Sequence, residues 1–228
     1  MIDGNINDSV NGYYKRDEMG MLSELASKYG PLRNKIALKI RKFFKQYDEY
    51  DWFLDNGTLL AAYRDNGNMI PWDDDFDIGV FLPNYQTESD CRKKKLIKEL
   101  QKFLEGTVYK VRSVKFNKDN PDYDYAEKIE VYDPSHGTKP LRSTNFHHVN
   151  LDLQIYTCVD NDIMIGLHAS EGHLRCPLSA ILPTKLINYE GELYPSPHDS
   201  LTYLKSKYGY LGHDSTFNVK TNLYEKRV

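Results

Sequence analysis

Three features of the sequence predict an α+β protein with a mixed or mostly antiparallel sheet flanked by helices. Helical periodicity is concentrated near the head of the chain. The middle alternates in the two-residue period of strands. No regular strand–helix–strand alternation appears, which argues against a wholly parallel sheet.

The elements follow in order. Residues Met1–Arg16 are rich in Asn, Asp and Gly and are expected to be disordered, leaving 17–228 as one domain. Met21, Leu22, Leu25 and Ala26 share a face of a first helix, Asp17–Tyr29, which Gly30-Pro31 stops. Ile36, Ile40, Phe43, Phe44 and Tyr47 mark a second helix, Leu32–Tyr47. Trp52–Leu54 reads as a short strand, Asp55-Asn56-Gly57 as a turn, and Thr58 as the cap of a brief helix, Leu59–Arg64. Asp75–Phe81 alternates as a strand, with Phe76, Ile78 and Val80 on one face and Asp75, Asp77 and Gly79 on the other. Thr87 and Asp90 form a capping box for a Lys-rich helix ending near Glu105-Gly106. Val108–Phe116 and Ala126–Tyr132 read as strands. Val149–Thr157 is the cleanest strand, with Val149, Leu151, Leu153 and Ile155 opposite Asn150, Asp152, Gln154 and Tyr156. Ile163–Leu167 is its hairpin partner. Lys185–Tyr194 turns at Glu190-Gly191, and a last helix runs from Ser200 to Tyr208.

Composition narrows the function. The 228 residues are 40% apolar and 28% charged, which excludes a mainly disordered chain. Lys and Arg total 30 against 33 Asp and Glu, for a net charge of −3. No global basic field exists to hold phosphates, so no nucleic-acid partner is expected. The apolar runs fall short of the roughly 18–20 residues a membrane helix needs, so no membrane span is expected. Met1–Lys15 carries no apolar signal region, which points to the cytoplasm, with the secretory pathway as the alternative for a piece of a longer protein. Cys91, Cys158 and Cys176 are odd in number and widely spaced, unlike a disulfide framework.

The chemistry concentrates in Ile70-Pro-Trp-Asp-Asp-Asp-Phe-Asp-Ile-Gly-Val80. Asp75 and Asp77 are two apart on a strand, so both carboxylates project from one face. Like charges this close repel unless a cation neutralises them. A divalent ion does so, and Mg²⁺ or Mn²⁺ prefers carboxylate oxygens together with waters and phosphates. Strand alternation turns Asp74 away from this pair. Asp152, on the polar face of an apolar strand, joins it if the two strands are neighbours. Asn56-Gly57-Thr58 opens a short helix, where backbone N–H groups can approach a phosphate.

These residues resemble the signature of the LicD/fukutin family of phosphotransferases. The likeness is carried by Asn56-Gly-Thr-Leu-Leu60, Arg64 and Ile70-Pro-Trp-Asp-Asp-Asp-Phe-Asp-Ile78. It continues through Ile181-Leu-Pro-Thr-Lys185, Tyr189-Glu-Gly191, Tyr194-Pro-Ser-Pro197, Tyr203-Leu204 and Tyr208-Gly209, and so spans about Asp51–Leu211. The resemblance implies a nucleotidyltransferase-like fold related to polymerase β. It implies metal-dependent transfer of a phosphorylated alcohol group, such as phosphocholine or ribitol phosphate, from a CDP-activated donor to a sugar or glycan hydroxyl. Its motif residues are Gly57 and Thr58 for the phosphate, Arg64 for phosphate or substrate charge, and Asp73, Asp75 and Asp77 for Mg²⁺ or Mn²⁺. Asp152 matches a later strand carboxylate, a further metal ligand or the general base, although the family's Phe-Pro after it is missing from Leu151-Asp-Leu-Gln-Ile155. Two other functions use the same residues: a nucleotidyltransferase releasing pyrophosphate, and a non-catalytic nucleotide- or sugar-binding protein.

Overall fold

The computed structural model describes residues 19–82, 91–115, 127–138, 147–159, 163–166, 174–218, 220–221 and 223–227. The expected disordered head, 1–16, and the Thr87–Asp90 capping box lie outside them. A mixed sheet occupies the centre. Its order is β1 (Asp51–Leu54), β2 (Asp77–Phe81), β5 (Asn150–Val159), β4 (Glu127–Tyr132) and β3 (Lys110–Lys115). β2 and β5 run parallel, and the other three pairings are antiparallel. β6 (Ile163–Gly166) pairs with β5, and β7 (Cys176–Pro177) with β6. Two hairpins stand apart from the sheet, β8 (Lys185–Tyr189) with β9 (Glu192–Ser196), and β10 (Ser215–Asn218) with β11 (Leu223–Lys226). The helices are α1 (Met19–Gln46), α2 (Asn56–Arg64), α3 (Cys91–Phe103) and α4 (Ser200–Tyr208). The α+β class read from the sequence is the class of the fold.

The two helices expected before Tyr47 are one. α1 passes through Gly30-Pro31 without stopping. Ala26, Tyr29, Arg33, Ile36, Ala37, Ile40, Phe43 and Phe44 form a single buried stripe at helical spacing across that point. Pro31 is exposed and forfeits one backbone bond to the preceding turn. An interior proline costs a helix about 3 kcal/mol. Each large apolar side chain of the stripe returns about 1.5–3 kcal/mol on burial, so packing wins. Gly30 is a contact residue: a Cβ there would lie 2.6 Å from Met69 Cε.

The sheet's two faces differ in chemistry. By register and strand alternation, Leu151, Leu153 and Ile155 share a face with Ile78, Val80, Ile129 and Val131. Asn150, Asp152, Gln154 and Tyr156 share the other with Asp77, Gly79, Lys128 and Glu130. The second face is polar yet buried, with Asp77 at 5% exposure and Asp152 at 0%. Burying charge there is costly unless something compensates it.

Candidate active site

β2 and β5 bring the acidic residues together. They pair with Asp77 opposite Asp152, one strand spacing apart and on the same face. The Asp152 N–H donates to the Phe76 carbonyl at 2.8 Å, which locks the head of β5 to the segment entering β2. Asp75 lies in that segment. One carboxylate oxygen from each of Asp75, Asp77 and Asp152 lies within 4.8 Å of the other two. Asp73, Asp74 and Asp75 make a second such group, so Asp75 belongs to both. β2 begins at Asp77, not Asp75, so strand alternation does not govern Asp74. That is why it sits with its neighbours rather than turned away.

α2 abuts this cluster through its N-terminus. The true cap is Asp55, whose carboxylate accepts from the Asn56 N–H at 2.7 Å. The helix therefore opens ahead of Thr58, the expected cap. A Cβ on Gly57 would lie 2.9 Å from Asp73 Oδ2, so only glycine allows that approach without a shift. Thr58 is fully buried, and its hydroxyl accepts from the Asp77 N–H at 2.9 Å. Its side chain seats β2 on α2.

Arg64 is not brought to the cluster. It ends α2, about 10 Å along the axis from Gly57 at 1.5 Å per residue. Its guanidinium grips Asp65 through Nε–Oδ1 at 3.0 Å and Nη2–Oδ2 at 2.8 Å. The neighbouring carboxylate satisfies its charge locally.

Several residues around the cluster escaped the sequence reading. Lys128 of β4, at 3% exposure, is ion-paired with Asp152 Oδ2. Asn150 Nδ2 donates to Asp152 Oδ1 at 3.1 Å, and Gln154 Nε2 donates to Asp77 Oδ1 at 3.4 Å. Asn150 Oδ1 and Gln154 Oε1 are buried and accept no hydrogen bond among the described residues. Glu130, opposite Asp152 in register, is ion-paired with Arg112 of β3. Arg33 of α1 donates through Nη1 to the Asp73 carbonyl at 3.0 Å and through Nε to the His148 carbonyl at 2.9 Å. The alternation Lys128-Ile-Glu-Val131 was the available signal for Lys128 and Glu130, but it reads equally well as a solvent-facing strand edge.

Burial pushes the Asp77 carboxyl well above its ordinary range, and the charges of Asp75 and Asp152 push it further. Lys128 opposes the shift. Burial likewise raises Glu130, with Asp152 adding to it and Arg112 opposing. The donors offered are hard oxygens held close together, which suits Mg²⁺ or Mn²⁺ rather than a soft-ligand metal. The unsatisfied amide oxygens beside Asp77 and Asp152 add to that oxygen character.

A mixed sheet with two carboxylates on one buried face and a third just ahead of it, beside the N-terminus of a helix, is the frame of a nucleotidyltransferase-type domain. The family model for LicD/FKTN/FKRP, nucleotidyltransferase domain, matches residues 49–199, about two thirds of the chain, and the chain belongs to that family. The match covers Gly57, Thr58, Arg64, Asp73, Asp75, Asp77 and Asp152, and ends at the cap of α4. Tyr203-Leu204 and Tyr208-Gly209, which carried part of the sequence resemblance, lie beyond it. No curated protein matches the chain. Among the described residues, no helix is long and apolar enough to cross a membrane.

Proposed function

We propose that the chain transfers a phosphorylated alcohol group from a CDP-activated donor to a sugar or glycan hydroxyl, releasing CMP. The observation that carries this is the meeting of Asp75, Asp77 and Asp152 beside the N-terminus of α2 in a chain of this family. Asp75, Asp77 and Asp152 would hold one divalent ion, with Asp73 at its edge. When bound, that ion supplies charge neutralisation for the donor pyrophosphate.

The remaining chemistry belongs to the chain. The Gly57 backbone lies in the first turn of α2, at its positive end, where a phosphate is favoured, while the Asn56 N–H is taken by Asp55. The acceptor hydroxyl attacks the phosphorus distal to cytidine, the bond from that phosphorus to the bridging oxygen breaks, and CMP leaves. A carboxylate takes the hydroxyl proton. Asp152 has both oxygens engaged, Oδ2 by Lys128 and Oδ1 by Asn150, so it is less free than Asp75 to take up that proton. It is better suited to ligation. Arg64, held by Asp65, has no part in this reading.

The family model's own description favours a second reading, nucleotidyl transfer with loss of pyrophosphate. One experiment separates the two. The protein is incubated with CDP-choline, CDP-ribitol or CTP, a panel of sugar acceptors, and Mg²⁺ or Mn²⁺. CMP release from a CDP-alcohol, abolished by EDTA, is the expected result. Pyrophosphate release from CTP instead would establish the second reading, and metal-independent binding without turnover would mark a non-catalytic protein.

A further inference from the structure

We propose that the Lys128 ammonium is a built-in cation of the acidic site, standing where a second divalent ion would otherwise sit, so that Asp75, Asp77 and Asp152 hold a single one. This rests on the divalent-ion reading above.

Lys128 is on β4, and Asp152 is on the adjacent strand of the same buried face. Its ammonium is ion-paired with Asp152 Oδ2, on the β4 side of that residue, while Asp77 lies on the β2 side. Asp75, Asp77 and Asp152 bring three carboxylates within 4.8 Å of one another, and Asp73 and Asp74 form a second group that shares Asp75. The Lys128 ammonium offsets part of this acidic charge from a fixed position at Asp152. The next carboxylate along the face, Glu130, has its own counter-charge in Arg112. A surface lysine would be a weak and mobile counter-charge. At 3% exposure Lys128 has no solvent to retreat into, so its ammonium is held beside Asp152.

The reading separates Lys128 from a residue that merely fills space. A packing role would make Lys128→Met nearly silent toward metal, since the two side chains are similar in length. A fixed positive charge would instead repel any ion arriving at Asp75 and Asp77, and its removal would tighten binding.

The test is an Mn²⁺ titration of the full chain without nucleotide, with free Mn²⁺ read by its EPR signal. The wild type is expected to bind one ion. Lys128→Met is expected to bind Mn²⁺ at least about tenfold more tightly, because a positive charge a few ångströms away has gone. Asp152→Asn, which strands the ammonium beside the remaining carboxylates, is expected to weaken binding by about a hundredfold. The double variant Lys128→Met/Asp152→Asn is expected to regain at least about tenfold of that loss. The double variant leaves no orphaned charge, so it decides the matter if Lys128→Met fails to fold.

Two ions in the wild type, unchanged or weaker binding in a folded Lys128→Met, or a double variant no tighter than Asp152→Asn would each overturn the proposal. A wild type that binds no Mn²⁺ would overturn the divalent-ion reading itself, and this inference with it. One ion in the wild type with an unmoved Lys128→Met would overturn the role of Lys128 alone.

Discussion

Two buried aspartate–lysine pairs sit along the polar face of β5, and they are built to opposite ends. At Tyr156, the Asp55 carboxylate accepts from the Asn56 N–H at 2.7 Å, from Tyr203 OH at 2.6 Å, from Lys207 Nζ at 2.8 Å and from Tyr156 OH. Lys207 donates in turn to Tyr156 OH at 2.8 Å. One negative charge meets one positive charge, and the hydroxyls close the network. Four residues earlier on the same strand, Lys128 meets Asp152, but Asp75 and Asp77 crowd the same space. Amide oxygens of Asn150 and Gln154 remain unsatisfied beside them. The first pair cements α2, β5 and α4. The second leaves excess negative charge, which costs stability in the folded chain and which the proposed divalent ion would relieve.

The largest expected effects split along that line. Asp75→Asn and Asp77→Asn should each cut turnover by at least about 10²–10³, the scale of losing a key electrostatic group, while the fold survives. Near-wild-type turnover of either variant at saturating metal would remove the ligand assignment. Lys207→Met should do the reverse damage, to stability. It strands a fully buried Asp55 and is expected to cost about 3–5 kcal/mol in urea unfolding. Adding Asp55→Asn to it should return much of the loss. If Lys207→Met unfolded like the wild type, the contrast between the two pairs would fail.

An intermediate effect concerns pH. Asp77's carboxyl is raised in the folded state, chiefly by burial and then by Asp75 and Asp152. A raised native pKa means the folded chain favours the protonated form. The stability it contributes is full below the ordinary carboxylate range and is lost as pH rises through the raised native value. Glu130 acts in the same direction. In EDTA the melting temperature should therefore fall from mildly acidic toward neutral pH, and Asp77→Asn should flatten that fall and melt higher at neutral pH. Saturating Mg²⁺ should oppose the fall by favouring the ionised form. A metal-free profile with no slope in this range would show that the crowding is relieved some other way.

The sequence made part of this legible, and the reason is the range over which each signal acts. Asp75 and Asp77 could be singled out because a dense acidic run is a local signal, although β2 begins only at Asp77. Asp152 could be singled out by the apolar residues beside it, but its meeting with Asp77 depends on a parallel pairing between distant segments, which no local pattern encodes. The stop at Gly30-Pro31 was misread for the converse reason. The local signal is genuine, but the stripe from Ala26 to Phe44 is held by tertiary packing and overrides it. Lys128 and Glu130 fell within the strand read at Ala126–Tyr132 but were not singled out, because alternation cannot tell a polar face in solvent from one that is covered. Arg64 matched a motif, and only the structure shows Asp65 holding it. The β10–β11 hairpin carried no strong period and went unforeseen.

The smallest expected effect tests what Thr58 does for the acidic side of the comparison. Its hydroxyl accepts from the Asp77 N–H in a fully buried setting, so it fixes where β2 starts relative to α2. Thr58→Val keeps the shape and removes the acceptor, leaving a buried N–H unpaired at a cost of about 1–3 kcal/mol in unfolding free energy. Thr58→Ser keeps the hydroxyl and should recover most of that. The alternative role, a hydroxyl offered to a donor phosphate, makes a different pattern: Thr58→Val would weaken CDP binding while the melting temperature stayed put. Because the hydroxyl is already bonded to the backbone of Asp77, the loss should appear first in stability, and any weakening of Mn²⁺ binding should follow from a looser Asp77 rather than from a lost phosphate contact. Parallel urea and CDP titrations of the two variants separate these outcomes, and a stable Thr58→Val that binds CDP poorly would return Thr58 to the phosphate.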